Sequence, residues 1–425
     1  MVIGDLRPGF GQGLVWGRAV GRRASPVWTV LRDSERLGYR SSAENAALRG
    51  VSARYQRGAW CLSALAGYDR RDARIGADGT VRSMPESGVH IGTTARQGKD
   101  LLGLKALGLR LRYGTSARYG GISIQGLALG TPVDLRRSTK PWAFYGRQQV
   151  LVAGDLRWAL RRLDLFGAWA YDAQGPWAGV GGVRWRLGKT RLGVSARRFG
   201  PGYYSLFGAA FSATGMKNEQ GILVTAQSAW GRLTWRAFLD RYGRLATSPT
   251  QPLTRVRTIY GIEVKRSRRA RLRLAGRFQR EVFKRRRGGE PVNERGYRGR
   301  AEAIYAADAT QLKGRLEIRR TKTQGDQTAT GRLLSVRLKR RQAWLNGVLH
   351  MSRFVIPTYA ARIYEFEAEI PGAVSIPPLY GTGWRFYALS NIQWKERQFS
   401  LRYRWEKTIR QTAEHQLCLQ IDWRH

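Results

Sequence analysis

The chain has 425 residues, of which 42% are hydrophobic, and this is enough for a sizeable core or one large closed sheet. It carries 75 Lys and Arg against 30 Asp and Glu, a formal net charge of +45. A disordered basic tail is excluded, because such tails lack aromatic residues and this chain has 15 Trp, 18 Tyr and 13 Phe. Two isolated cysteines, Cys61 and Cys418, and four scattered histidines give neither a disulfide framework nor metal-ligand spacing.

No linker or change of composition divides the chain, so the sequence predicts one large domain over residues 1–425. No run of about 18 apolar residues occurs, so no transmembrane helix is encoded. Near the N-terminus, arginines interrupt any apolar core of a signal peptide. Three glycines there, Gly9, Gly11 and Gly13, predict either tight curvature or a close backbone approach.

Further along, the dominant periodicity is two. Leu107, Leu109 and Leu111 alternate with Gly108, Arg110 and Arg112, and the same alternation recurs at residues 183–187, 270–279 and 399–406. Strict alternation predicts strands with one apolar and one polar face. Turn-forming clusters separate them, for example Gly76–Gly79 and Gly288–Pro291. The fold class predicted is therefore all-β, with about 20 antiparallel strands of transmembrane length.

A transmembrane β-barrel is favoured over a soluble sandwich, because the apolar faces end unusually often in Trp, Tyr or Phe. If those faces meet lipid, the polar faces must line the lumen, since arginine facing hydrocarbon costs about 2–4 kcal/mol at the midplane. The arginines predicted to line a cationic lumen are Arg110, Arg112, Arg184, Arg186, Arg271, Arg273, Arg277, Arg402 and Arg404.

One segment carries the opposite charge. Glu365, Glu367 and Glu369 alternate with apolar residues and predict an acidic strand that faces inward. These acidic residues have two interpretations: they set up a transverse electric field across a pore, or they locally neutralise neighbouring arginines. Two basic runs, 284–287 and 339–341, are placed at turns, where they either bind phosphates of lipopolysaccharide or nucleic acid or are simply solvated.

At the C-terminus, Leu419, Ile421, Trp423 and His425 share one face of a final amphipathic strand. This resembles the terminal assembly signal of outer-membrane barrels, with His425 where an aromatic residue such as Phe is usual. The alternative is an ordinary last strand. The resemblance implies the barrel-assembly machinery, outer-membrane lipid and lipopolysaccharide as partners.

Three stretches resemble the barrel portion of a family of uncharacterised Gram-negative outer-membrane proteins that have an N-terminal helix-hairpin-helix region. They are residues 4–14, with Phe10-Gly11-Gln12-Gly13-Leu14, residues 41–51, and residues 198–221, with Asn218-Glu219-Gln220-Gly221. In that family the first motif lies well inside the protein. The resemblance therefore implies an outer-membrane location and a chain that represents a C-terminal portion of a longer protein.

No Ser/His/Asp set or phosphate loop emerges, and Gly179–Gly182 lacks the Lys-Ser/Thr ending of one, so an enzyme is not predicted and no cofactor is implied. The leading hypothesis is a channel or transport scaffold with an anion-attracting lumen. The alternatives are a component for DNA uptake or nucleic-acid binding, motivated by the net charge and the helix-hairpin-helix resemblance, and a soluble basic β-rich binding protein.

Overall fold

A computed structural model describes residues 1–17, 36–39, 47–85, 90, 93–134, 144–247, 256–266, 271–287, 290–323, 328–371, 375–409 and 411–423. Strands account for most of them. In chain order they are β1 Val2–Leu6, β2 Leu48–Arg57, β3 Trp60–Arg71, β4 Arg74–Ile75, β5 Val81–Ser83, β6 Leu102–Gly114, β7 Arg118–Asp134, β8 Tyr145–Leu160, β9 Leu163–Asp172, β10 Trp177–Leu187, β11 Thr190–Phe199, β12 Glu219–Trp230, β13 Leu233–Gly243, β14 Val256–Arg266, β15 Leu272–Arg287, β16 Glu290–Ala307, β17 Thr310–Thr323, β18 Ala329–Arg341, β19 Leu345–Ile356, β20 Ile363–Tyr364, β21 Pro378–Leu379, β22 Gly381–Trp394, β23 Arg397–Thr408 and β24 Gln411–Trp423.

Helix is confined, in the described chain, to α1 Thr93–Gln97 and a 3-10 turn at Tyr359–Ala361. No helix among the described residues has the length and hydropathy needed to cross a bilayer.

The chain divides into two compact units: residues 1–226 with 239–256, and residues 227–238 with 257–425. In the first unit, nine strands pair antiparallel in the order β1-β2-β3-β6-β7-β8-β9-β10-β11. In the second unit, the order of nine antiparallel strands is β14-β15-β16-β17-β18-β19-β22-β23-β24. With β12 and β13 these are the 20 long strands of the described chain, so the predicted large antiparallel all-β fold is confirmed.

Short hairpin turns fix the register of these strands. Leu187 pairs with Thr190 across a two-residue turn, and Leu160 pairs with Leu163 in the same way. Gly188 has φ +55°, as the primed turns of two-residue hairpins require. Because the side-chain period is two, this register decides which face every residue occupies.

The two faces of each strand run differ in burial, and the apolar face is the exposed one. In β6, Leu107, Leu109 and Leu111 are 64%, 47% and 42% exposed, whereas Arg110 and Arg112 are 2% and 7% exposed. We call the two sides the exposed face and the covered face. A water-soluble sandwich would show the reverse, with its apolar face inside.

In the first unit, the covered face is covered by two irregular segments of the same unit: residues 8–17, the first covering segment, and residues 200–218, the second. Trp16 stacks on Phe207 with ring centroids 4.6 Å apart, and the Tyr203 hydroxyl donates to the carbonyl of Leu14 at 3.0 Å. Backbone bonds join Gly17 to Phe207 and Ala209 to Gly13, both at 2.9 Å. Together with inward side chains of the strands they form the largest apolar core of the described chain.

In the second unit, the described residues between 357 and 379 form a third covering segment. Phe354 and Ile356 of β19 pack with Ile363 and Leu379 in a small apolar core, and β20 pairs with β21. The prediction that Glu365, Glu367 and Glu369 lie in one strand is wrong. Only Ile363–Tyr364 is a strand, followed by one isolated bridge from Glu367 to Ser375, because prolines at 371, 377 and 378 withhold backbone donors from a ladder.

The predicted turns at Gly76–Gly79 and at the two basic runs have different outcomes. Gly76–Gly79 forms a turn with Gly79 at φ +73°. The basic runs at 284–287 and 339–341 are the ends of β15 and β18, so their placement at turns is wrong. Gly288 and Gly289 lie outside the described residues. The strands continue through the basic runs because cross-strand pairing extends to Arg287 and Arg340.

The contact between the first two covering segments depends on residues without side chains. A Cβ added at Gly17 would lie 2.6 Å from the backbone nitrogen of Ala209, a distance that real Cβ atoms do not reach. Gly17→Ala should therefore separate the segments and lower the free energy of unfolding by about 1–3 kcal/mol, measured by urea titration of the refolded protein. Gly120→Ala is the matched control, since Gly120 of β7 has open space around it. Equal stability of the two variants would contradict the tight packing.

Candidate functional site

The exposed face of the first unit carries an apolar belt with aromatic borders. Trp60 and Tyr113, 4.7 Å apart between ring centroids, lie beside the short turns, and Trp158 and Trp185 continue that row. The opposite border contains Tyr68, Tyr171 and Trp177, all at least 45% exposed. Trp60 and Tyr68 are eight residues apart in β3, which is about 27 Å along a strand. Apolar residues fill the space between the borders. At the strand tilt of about 35–45° found in transmembrane barrels, this length spans about 19–22 Å of height, close to their lipid-facing band of roughly 25 Å.

The arginines predicted to line a lumen differ in how far they are buried. Arg110, Arg112 and Arg402 are buried, and Arg184 and Arg404 are partly buried. Arg273 and Arg277 of β15 are half-buried on the side opposite Leu272 and Leu274. Arg271, just before β15, and Arg186, near a hairpin turn, are exposed.

Several of these arginines have carboxylate partners. Arg110 Nη2 lies 2.9 Å from Asp155 Oδ2, and its guanidinium lies 4.9 Å from the ring centre of Phe10 in the first covering segment. Arg184 pairs with Asp164. Arg404 lies 3.7 Å from Glu414, an exposed contact. An unpaired arginine in a dry interior is costly, so each buried guanidinium needs such a partner.

The first unit contains a second buried charge cluster that the periodicity did not reveal. Arg197 of β11 is 2% exposed and lies 2.5 Å from Glu219 and 2.8 Å from Asp240. Glu219 also accepts the backbone amides of Ala213 and Thr214 in the second covering segment, at 2.9 and 2.7 Å. The acidic residue in the Asn-Glu-Gln-Gly motif therefore joins that segment to the strand.

In the second unit, Glu317 of β17 is the centre of another buried charge cluster. Its side chain is fully buried and receives Arg298 at 2.5 Å, Arg300 at 2.6 Å and Arg315 at 2.5 Å. Sequence reasoning missed it, although the alternation Arg315, Glu317, Arg319 along one face was a usable signal.

The acidic residues of the third covering segment lie directly on arginines of the strands. Glu367 is fully buried between Arg385 at 2.7 Å and Arg402 at 2.6 Å, and Glu369 lies 3.1 Å from Arg402. Burial is the main influence on Glu369 and raises the pKa of its carboxyl, although Arg402 opposes this.

Glu365 has a different neighbourhood. Its carboxylate lies 3.2 Å from Nε2 of His350 and 3.8 Å from Arg315. Burial opposes ionisation of Glu365, but His350 and Arg315 outweigh it, so the pKa of this carboxyl lies below its usual range. The His350 ring also stacks on Tyr387, with centroids 4.8 Å apart.

Strand arginines also satisfy the backbone of this segment. Arginine side chains donate to its carbonyl oxygens, with Arg319 bound to Arg362 at 2.7 Å, Arg337 to Phe366 at 2.7 Å, Arg315 to Tyr364 at 3.2 Å and Arg402 to Ala368 at 3.2 Å. Buried carbonyls outside regular ladders need donors, and guanidinium supplies several from one side chain. These arginines therefore hold a covering segment in addition to carrying charge.

The residues of the C-terminal signal share one face of β24. Leu419, Ile421 and Trp423 are 69%, 49% and 59% exposed, as the alternation predicts. His425 lies outside the described residues. Recognition by assembly machinery stays a prediction.

Arg49 of β2 lies 3.5 Å from Asp5 of β1, with both side chains largely exposed. Among described residues, no group of three or more His, Cys, Asp or Glu side chains is arranged to hold a metal ion. Cys61 and Cys418 are free thiols.

Comparison with known proteins gives resemblances in fold only. No protein-family model matches the sequence. No curated protein matches it either. Among solved structures, OmpT of Vibrio cholerae is similar over 83% of this chain and 100% of its own, with 8% identity and a TM-score of 0.38. Pseudomonas aeruginosa OpdK, solved with vanillate, is similar over 85% of this chain and 96% of its own, with 11% identity and a TM-score of 0.36.

The copper transporter OprC is similar over 85% of this chain and 59% of its own, with 12% identity and a TM-score of 0.40. Resemblance at this level is too coarse to transfer a function. The function is therefore argued from the residues of this chain.

The buried ion pairs of the third covering segment predict a large and specific loss of stability. Glu367→Gln removes the carboxylate that Arg385 and Arg402 share and should lower the free energy of unfolding by about 3 kcal/mol in urea titrations. Glu414→Gln removes an exposed partner of Arg404 and should cost at most about 1 kcal/mol. Similar losses for both variants would show that burial does not strengthen the Glu367 contacts.

Proposed function

We propose that this protein is an outer-membrane β-barrel that serves as a channel or transport scaffold for small anions. The observation that carries the proposal is the division of faces, with an apolar belt between aromatic borders outside and arginines on the covered side. In hydrocarbon a sheet survives only when every backbone amide is paired, which favours closure of so many antiparallel strands.

The covered face supports a cationic route rather than an uncharged one. Besides the arginines that form salt bridges, Arg273 and Arg277 lie half-buried on that face of the second unit, with Arg277 opposite Glu263 of β14. Arginine along an aqueous path lowers the barrier for anions and raises it for cations. The buried contacts of Glu365 and Glu367 favour the neutralisation interpretation over a transverse field across a pore.

The third covering segment has a role in this proposal as a constriction. It lies against β17, β18, β19, β22 and β23 through ion pairs and carbonyl contacts. A segment on the covered face narrows whatever path follows that face. Solute size would then be set by its position, and anion preference by the arginines beside it.

Membrane insertion has its own test, which does not depend on conduction. Leu109 lies near the middle of the apolar belt, 47% exposed. Leu109→Arg should lower the stability of the protein folded into lipid vesicles by about 2–4 kcal/mol, measured by urea titration. Ser116→Arg, in the exposed turn before β7, should change it by less than about 0.5 kcal/mol. If Leu109→Arg leaves the stability unchanged and the protein purifies as a monomer without detergent, the soluble alternative is established instead.

Anion selectivity is tested in planar bilayers with a KCl gradient. The reversal potential should indicate preference for chloride, and Arg273→Gln with Arg277→Gln should shift it toward zero because two covered-face charges are removed. Arg320→Gln with Arg353→Gln removes the same charge from the exposed side and should leave it unchanged. A cation-selective or sealed protein would overturn the channel proposal. Retention of DNA that is lost as salt rises, without conduction, would favour the nucleic-acid alternative.

A further inference from the structure

The first unit has a strongly charged cavity at its short turns that the proposed channel does not use. It measures about 280 Å³ and lies where the turns of the β8–β9 and β10–β11 hairpins meet. Its charged lining consists of Asp164 and six arginines: Arg157, Arg161, Arg162, Arg184, Arg186 and Arg191.

The one carboxylate of this lining, that of Asp164, already forms ion pairs with two of the arginines. Arg157 binds Asp164 through two parallel hydrogen bonds of 3.1 and 3.0 Å, and Arg184 binds the same carboxylate. Arg157 is also fixed to the neighbouring turn, since its Nη1 donates to the carbonyl of Ser116 at 2.9 Å. Asp164 thus positions two of the six guanidinium groups and neutralises one charge.

The other four arginines have no carboxylate partner among the described residues. Arg186 and Arg191 are directly opposite each other in the β10–β11 pair, an arrangement of like charges that destabilises a sheet. The backbone nitrogen of Arg186 donates to the carbonyl of Arg162 at 2.7 Å, which brings the β8–β9 turn with Arg161 and Arg162 against this pair. The repulsion is built into the register and would be relieved by a bound anion.

We infer that this cavity binds a phosphate group. Guanidinium forks match phosphate oxygens in bidentate geometry, and several converging arginines suit a multiply charged oxyanion better than a single carboxylate. The volume admits a phosphate or pyrophosphate together with its bound water. Arg157, Arg184, Arg186 and Arg191 alternate with outward-facing Trp158, Trp185 and Leu192, so the charged groups point away from the apolar belt.

The phosphate has two conceivable sources, a soluble phosphate compound or a lipid head group beside the Trp158–Trp185 border. Both share the chemistry that the arginines recognise. Separate measurements distinguish them: titration of the detergent-solubilised protein with pyrophosphate by calorimetry, and sedimentation with vesicles of phosphatidylglycerol against vesicles of phosphatidylcholine for the protein reconstituted in nanodiscs.

Binding should fall at least tenfold in the variant Arg186→Gln with Arg191→Gln. Arg70→Gln with Arg198→Gln is the matched control, because it removes the same net charge from exposed positions of β3 and β11 in the same unit. The control should bind within about twofold of the original protein. Binding confined to pyrophosphate identifies a soluble ligand, and binding confined to anionic lipid identifies a head group; either supports the site.

Thermal unfolding gives a readout that separates a site from a general positive field. Pyrophosphate should raise the unfolding midpoint of the original protein and of the control but not that of the Arg186/Arg191 variant. In phosphate-free buffer the variant should be at least as stable as the original, because the opposed pair is gone. Equal loss of binding in both double variants, or no binding of either phosphate source, would overturn the inference. These outcomes are independent of conduction, so a protein that fails as a channel could still show the site.

Discussion

The energetic cost of a buried guanidinium determines how the covered face is built. Arginine cannot lose its charge at accessible pH, so burial requires carboxylates or carbonyl oxygens within hydrogen-bond distance. Each unit meets this requirement with irregular chain on its covered face. In the first, Arg110 lies against Phe10 and Asp155; in the second, Arg402 lies between Glu367 and Ala368.

These pairings limit which arginines can contribute to the proposed anion preference. Charges tied to Glu317 or Glu367 stabilise the protein, and they contribute little net field to a passing solute. The anion preference proposed here must come from groups that remain incompletely compensated, such as Arg273 and Arg277. The arginines at the short turns differ again, because the register opposes Arg186 and Arg191, and four guanidinium groups there have no carboxylate partner within the described part of the chain.

The motifs that carry the family resemblance acquire a physical role from the packing. Gly13, with φ +78°, and Gly17 allow the first covering segment to lie against Ala209 and Ala210 of the second. Glu219 then fixes the end of the second segment by binding Arg197 and two backbone amides. The close-approach interpretation of the N-terminal glycines thus agrees with the contacts. Membership of the helix-hairpin-helix family stays a prediction.

The sequence alone determined the all-β class, the approximate number of strands and the face on which Leu109 or Arg110 lies, because a period of two depends only on local backbone geometry. It also placed Leu419, Ile421 and Trp423 together. Tertiary structure decided the partners: that Glu365 and Glu367 belong to a covering segment, that Glu317 collects three arginines, and that the turns after Leu160 and Leu187 meet around one cavity. Such contacts join residues far apart in the chain, and alternation within a strand carries no information about what will lie across from it.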